Sequence, residues 1–259
     1  MLQLTTIKSG MTNESHILIV GNKKYVIRIP GKGTEVLIDR HAEANTYKAI
    51  KYLRISDEVL FLDPKIGYKI SKFIKNSVTL DPFDFDDVKK CMSVLKKIHT
   101  AKINVEKTFC PFERSVFYKN LCKKTKDQPP VHKLQKFLTP IESCLCHIDA
   151  NHENFLFSKN KIKLIDWEYA AMADFHIDIA MFAIYAMYDR KQVDRLIEMY
   201  GVTNKYRVYL YISVCGLVWS NWCDYKFELG IDFGKYSLIQ YNYAVDYYKI
   251  FMDEWGKDV

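Results

Sequence analysis

The chain has 259 residues, 49% hydrophobic and 27% charged, which suits one large domain or two modest ones and excludes a disordered or fibrous protein. Lys and Arg outnumber Asp and Glu by 38 to 31, yet clusters such as Lys123-Lys124-Thr125-Lys126 stay short, so nothing favours a nucleic-acid partner. No secretory leader opens the sequence, and the longest uncharged stretch, residues 208–223, falls short of the roughly 20 apolar residues of a spanning helix, so a cytoplasmic chain without membrane insertion is expected.

Residues 15–20 and 24–29 are β-rich on either side of Gly21-Asn22, the turn chemistry of a hairpin, and Pro30-Gly31 stops the second strand. Residues 38–53 turn helical, with Ala42, Ala49 and Ile50 among charges. Short apolar segments at 59–62 and 67–74 follow, so the first 75 residues read as a small sheet with one helix. Beyond them the texture changes. Residues 84–99 set Val88, Cys91, Met92, Leu95 and Ile98 at helical spacing. Acids at the start (Asp84, Asp86, Asp87) and bases at the end (Lys96, Lys97, His99) complement the helix dipole. Further helices are expected over 113–124 and 131–139, strands over 155–158 and 161–165, and long helices from about 178 to 257. The expected fold is α+β with two lobes. Residues 1–75 form a β-sheet lobe and residues 76–259 a larger, mostly helical lobe, joined at 71–76, with a ligand cleft between them.

The densest chemical signal is His147-Ile148-Asp149-Ala150-Asn151-His152-Glu153-Asn154, which reads H-x-D-x-x-x-x-N, with Asp166 across the predicted hairpin. Phosphoryl transfer from ATP needs a carboxylate beside the attacking hydroxyl and oxygen ligands for Mg2+ near the phosphates. Asp149 fits the first role. Asn154 and Asp166, brought together by the hairpin, offer the hard oxygen donors that Mg2+ prefers. A lone H-x-D is common, but the full pattern with a correctly spaced second aspartate is rare. Upstream, Arg28 lies mid-strand where kinases carry V-A-I-K, and a buried strand cation needs a partner, for which Glu43 on the next helix is placed. The loop Ser9-Gly10-Met11-Thr12-Asn13 is placed to wrap phosphates with backbone N–H groups. The seven cysteines are odd in number and contain no C-x-x-C pair, which suits reduced thiols. A zinc set drawn from Cys144, Cys146, His147 and His152 matches no ordinary ligand spacing.

On these residues the chain resembles the choline/ethanolamine kinase family, within the aminoglycoside-phosphotransferase and protein-kinase-like fold. The matching segments are SGMTNES, YVIRIPGKGTEVLIDRHAEANTYK, ISKFIKN, VLKKIH, HIDANHENFLF, KLIDWEYA and DIAMF, and VIRIPGKGT with IDR is closest to bacterial choline kinases. The resemblance implies phosphotransfer from ATP to choline with Mg2+, with Asp149 as catalytic base and Asn154 and Asp166 as metal ligands. It implies Arg28 and Glu43 as the phosphate-binding pair, Ser9, Gly10, Thr12 and Asn13 in the nucleotide loop, and Asp178 as a brace for the catalytic loop. Trp219-Ser220-Asn221-Trp222 resembles the family's paired tryptophans, although spacing alone favours a packed core. Tyr188 and Tyr236 are expected to close that cage and Glu168 to supply its charge. Asp166 is followed by Trp167-Glu168 rather than Phe-Gly, and no A-P-E segment appears, so a small acceptor is favoured over a peptide. Ethanolamine, thiamine or an aminoglycoside are the alternative acceptors. A non-catalytic binding protein is disfavoured because Asp149, Asn154 and Asp166 are all present, and no protein partner is evident.

Overall fold

The structure, a computed structural model, describes residues 2–9, 11–159 and 161–257, without the side chains of residues 2–4 and 6–9. Its N-terminal part is a five-stranded antiparallel sheet, ordered β1 (Leu2–Ser9), β2 (Asn13–Val20), β3 (Lys23–Pro30), β5 (Lys69–Lys72), β4 (Val59–Leu62). β2 and β3 form the expected hairpin, with Val20 opposite Lys23 and Gly21 at φ 59° in the turn, where a side chain would be strained. β1 was not anticipated from the sequence, where Ser9 is expected in the nucleotide loop instead of at a strand's end. It pairs along β2 from Leu2 opposite Val20 to Ser9 opposite Glu14. After the short α1 (Thr34–Leu37), helix α2 (Arg40–Ile50) starts where the Asp39 side chain accepts a hydrogen bond from the Ala42 N–H. It buries Glu43, Ala44, Tyr47 and Ile50, one face at the i, i+3/i+4 spacing.

The chain leaves this sheet after Lys72. It next enters β6 (Val78–Thr79), which pairs with β8 (Phe155–Ser158), itself paired with β9 (Lys161–Leu164). Helix α3 (Phe85–His99) buries the expected Val88, Cys91, Met92, Leu95 and Ile98, and the Asp84 side chain caps its first turn. α4 (Pro111–Leu121) opens with proline at its first position, where no N–H is needed. Residues 131–137 form a 3-10 helix instead of the expected α-helix; Pro129-Pro130 immediately precede it, and its bonds close at i+3. Strand β7 (Cys144–Cys146) pairs with β10 (Ala171–Ala173) and leads into the segment His147–Asn154. α5 (His176–Tyr185) and α6 (Arg190–Tyr200) follow, the latter with a reciprocal Asp189–Gln192 capping box.

The uncharged stretch 208–223 lies inside α7 (Lys205–Glu228), where every residue from Arg207 to Cys223 is buried. Such a helix is apolar all round because neighbours cover every face. α8 (Tyr236–Trp255) crosses it at Gly216, where a Cβ would stand 2.6 Å from the Gln240 carbonyl oxygen and 2.8 Å from the Ala244 nitrogen. Among the described residues, no helix is long and apolar enough to cross a membrane. A pair of lysines ties the end of β3 to the end of α7: Lys32 Nζ donates to the Leu229 carbonyl at 2.9 Å, and Lys226 Nζ donates to the Lys32 carbonyl at 2.7 Å.

Candidate active site

The loop after β7 is held from below by one carboxylate. Asp178, in the first turn of α5, accepts the His147 N–H at 2.8 Å and the Ile148 N–H at 2.7 Å. His99 Nε2 meets the same carboxylate at 2.9 Å, and His99 Nδ1 faces the Tyr200 hydroxyl at 2.7 Å. Ile148 has φ 68°, a left-handed conformation that costs a β-branched residue about 1–3 kcal/mol. Two charge-assisted bonds to a fully buried carboxylate offset that strain. His147 is scaffold: its Nε2 faces the Ile165 carbonyl at 3.0 Å and its ring packs edge-on against Trp167.

This loop presents Asp149. The Asn154 side-chain amide donates to the Asp149 carbonyl at 3.0 Å and to its carboxylate at 3.2 Å. The Ile165 N–H donates to the Asn154 carbonyl at 2.9 Å, so closure of the β8–β9 hairpin sets Asp166 beside Asn154. Asp166 itself takes a left-handed conformation, φ 67°. Burial, then the charge of Asp166, pushes the Asp149 carboxyl well above the usual carboxylate range, and its interactions with Tyr185 and Asn154 pull partly the other way. The Asn154 nitrogen is committed to Asp149, and Asp166 Oδ1 accepts from Arg28. Asn154 Oδ1 and Asp166 Oδ2 are therefore the oxygens available to a hard cation, a donor set that fits Mg2+.

Arg28 and Glu43 pair as expected, at 2.7 and 2.8 Å through both guanidinium nitrogens. The pair belongs to a larger buried network. Arg28 also reaches Asp166 at 3.0 Å, and Arg40 reaches Glu43 at 3.0 Å, Glu168 at 2.8 Å and the Asn13 side-chain oxygen at 3.2 Å. The Asn13 amide donates to Glu168 at 2.8 Å, so this member of the N-terminal loop is engaged across the cleft. Gly67, at φ 79°, makes room for Arg40: a Cβ there would stand 2.4 Å from Arg40 Nε. Burial, then Asp166, pushes the Glu168 carboxyl up, while Arg28 holds Glu43 below the usual carboxylate range against the cost of its burial. Glu168, expected as the acceptor's counter-charge, is instead 1% exposed, bonded to Arg40 and Asn13, and absent from the cavity wall. Arg40 went unrecognised in the sequence because two of its three partners, Asn13 and Glu168, come from distant segments.

A cavity of about 620 Å3 lies between the sheet and the helices. On the sheet side it is lined by Thr12, Asn13, Val26, Arg28 and Ser71, followed by Phe73 and Ile74 beyond β5. On the other side Asp149, Asn154 and Asp166 meet Tyr169, Tyr185, Trp219, Trp222 and Tyr236. Gly10 lies outside the described residues, and Ser9 is described only as backbone at the end of β1. Trp219 and Trp222 stand edge to face at 5.7 Å, and Tyr169 meets Trp219 edge-on at 5.5 Å. Trp222 also stacks on Phe233 and has the Lys226 ammonium 5.5 Å from its ring centre.

Tyr188 is a correction. Its hydroxyl donates to the Pro82 carbonyl, its ring stacks on Phe85, and it does not line the cavity. Tyr169 and Tyr185 line it and were not anticipated. A signal for Tyr185 was present: it follows Asp178 by two helical turns of α5, and so shares the face that meets the loop carrying Asp149.

The fold and this cavity define a phosphotransferase acting on the hydroxyl of a small molecule, α+β in class with the expected kinase-like architecture. The family model for choline/ethanolamine kinase matches residues 4–213, and the chain belongs to that family. Protein LicA of Haemophilus influenzae is 28% identical across 88% of this chain and 75% of that protein. The crystal structure of choline kinase LicA from Streptococcus pneumoniae matches with a TM-score of 0.84 at 28% identity, covering 95% of this chain and 94% of that one. A structure of LicA in complex with AMP matches with a TM-score of 0.85 at 28% identity, over 96% and 92% of the two chains.

Proposed function

We propose that the chain transfers the γ-phosphoryl group of ATP to the hydroxyl of choline, giving phosphocholine and ADP. The observation that carries the reading is that Asp149 shares one cavity with the Asn154 and Asp166 oxygens and with a wall of five aromatic rings. Asp149 accepts the hydroxyl proton and orients the attacking oxygen. Its raised affinity for protons suits a base that must hold one as the new bond forms. Asn154 and Asp166 would hold Mg2+, which neutralises charge on the phosphates when bound. Arg28, fixed by Glu43, is placed to steady the phosphate oxygens, with Thr12 and Asn13 on the adjoining wall. Residues 1–75 then serve as the nucleotide lobe and 76–259 as the catalytic and acceptor lobe, of a protein we place in the cytoplasm.

The acceptor follows from the chemistry of the wall. A quaternary ammonium offers no hydrogen bond through its nitrogen, and each desolvated aromatic face contributes about 0.5–2 kcal/mol toward holding it. Tyr169, Tyr185, Trp219, Trp222 and Tyr236 supply such faces. Ethanolamine, thiamine or an aminoglycoside is the second reading, since the family model spans choline and ethanolamine kinases. The test is ADP release from Mg2+-ATP with choline, ethanolamine, thiamine and kanamycin in parallel. Choline is expected to lead. Silence with all four would sink the activity, and a lead for ethanolamine would overturn the aromatic-wall argument. Asp149→Asn is expected to lower turnover by about 10²–10⁴-fold with nucleotide affinity little changed; retained turnover would remove Asp149 as the base.

A further inference from the structure

Cys144 and Cys146 occupy alternate positions of β7, so their side chains leave the same face of the strand. Their sulfurs are 3.8 Å apart. Two sulfurs bound to one tetrahedral metal at about 2.3 Å each stand roughly 3.8 Å apart, so the thiols already span one edge of such a site. His99, in the last turn of α3, brings a ring nitrogen to within 4.8 Å of both. The zinc set considered from sequence drew on His147 and His152, but His147 is turned toward the Ile165 carbonyl and Trp167. The histidine that the fold delivers to the cysteines is His99.

The surroundings suit a ligand. Asp178, which accepts two backbone N–H groups, faces His99 Nε2, and a proton carried on that nitrogen is the one its carboxylate can accept. His99 Nδ1 is left with its lone pair, which the Tyr200 hydroxyl meets at 2.7 Å. A carboxylate behind a histidine in this way fixes the tautomer and raises ligand basicity in metal sites. We propose that Cys144, Cys146 and His99 Nδ1 form a site for a thiophilic divalent cation of the zinc class, with Asp178 as the outer carboxylate and the fourth position open to water.

Cys146 is wholly buried and Cys144 only partly, so the cation enters from the Cys144 side, displacing the Tyr200 hydroxyl. Binding releases the two thiol protons to solvent, and two thiolates neutralise the dication, so no net charge is added to the interior. Burial otherwise pushes the Cys146 thiol up and keeps it protonated. The site lies outside the cavity, yet it shares Asp178 with the catalytic loop, so occupancy acts on the scaffold of Asp149 without competing for nucleotide or acceptor.

The test is titration of the full chain with Co2+, in excess Mg2+ to engage the oxygen donors around Asp166. Wild type is expected to bind one equivalent with a thiolate-to-cobalt charge-transfer band that Zn2+ abolishes. Cys122→Ser retains the band. Cys144→Ser loses it and binds at least about 100-fold more weakly, beyond the 10–100-fold that loss of an outer partner costs. No band in wild type, or an equal band in Cys144→Ser, overturns the proposal. Should Cys144→Ser fail to fold, alkylation of wild-type Cys144, mapped by mass, replaces it. Zn2+ at about ten times its Kd or more is expected to slow labelling at least about tenfold, as the factor 1 + [L]/Kd requires, and equal labelling with and without Zn2+ counts against the site.

Discussion

Arg40 is the residue whose removal most directly tests how the buried network is balanced. Its guanidinium contacts Glu43 and Glu168 at 3.0 and 2.8 Å, and all three side chains are at most 7% exposed. Arg40→Gln leaves Arg28 as the one guanidinium paired with Glu43, Glu168 and Asp166. Removing one partner of a buried ion pair costs about 3–5 kcal/mol, and because Arg28 still reaches Glu43 and Glu168 the lower end is expected. For a chain of this size about 3 kcal/mol corresponds to a fall of roughly 6–12 °C in Tm. Glu168 is already pushed up by burial and by Asp166. A carboxyl raised in the folded state contributes stability below its unfolded value, and loses it as pH rises through the folded one. The variant should therefore lose more at pH 8 than at pH 5.5.

The assay is thermal and urea unfolding of Arg40→Gln, Glu168→Gln and the double variant. The double variant removes both charges of one contact, so its cost should fall below the sum of the singles by more than about 0.5 kcal/mol. Additivity within that margin, or a Tm within about 2 °C of wild type for Arg40→Gln, would refute the network as a mutually dependent set.

Tyr185→Phe removes a partner that favours ionised Asp149, so the acid limb of the pH–rate profile should shift to higher pH; an unmoved limb would separate Tyr185 from the base. Trp222→Leu should raise the KM for choline by about 2–30-fold, equivalent to about 0.5–2 kcal/mol, with kcat largely retained; steady-state kinetics at saturating ATP decides it. Gly216→Ala forces a methyl against the α8 backbone, so about 1–3 kcal/mol of stability should be lost in urea unfolding. An unchanged midpoint would mean that the two helices give way freely.

What was legible in the sequence was what lies within one element or across one tight connection. The apolar face of α3 repeats within a single helix, Arg28 and Glu43 lie only 15 residues apart, and Asn154 and Asp166 are joined by a hairpin. β1 escaped because a strand declares itself through its partner, and Arg40, Tyr169 and His99 because their neighbours come from remote segments. The two misplaced residues failed for local reasons. A 3-10 turn at Trp167–Tyr169 follows the left-handed Asp166; it directs Glu168 to Arg40 and leaves Tyr169 on the cavity. Tyr188 lies past the end of α5, after Met187 at φ 55°, and that reversal takes its ring to Phe85 instead of the cavity.

The lysine pair at the end of α7 has a consequence for the ionic milieu. Lys32 and Lys226 donate to main-chain carbonyls, each to a dipole and not to a counter-charge. Dissolved salt screens the attraction between two exposed ions over a Debye length of about 10 Å at 0.1 M, but a short bond to a carbonyl offers no opposite ion for it to replace. Exposed pairs such as Lys72–Glu58 and Lys102–Glu142 weaken as ionic strength rises, whereas the stitch between the end of β3 and α7 holds. The clasp on that flank of the cleft is thus set by the backbone, and a brine that loosens the outer surface leaves it closed.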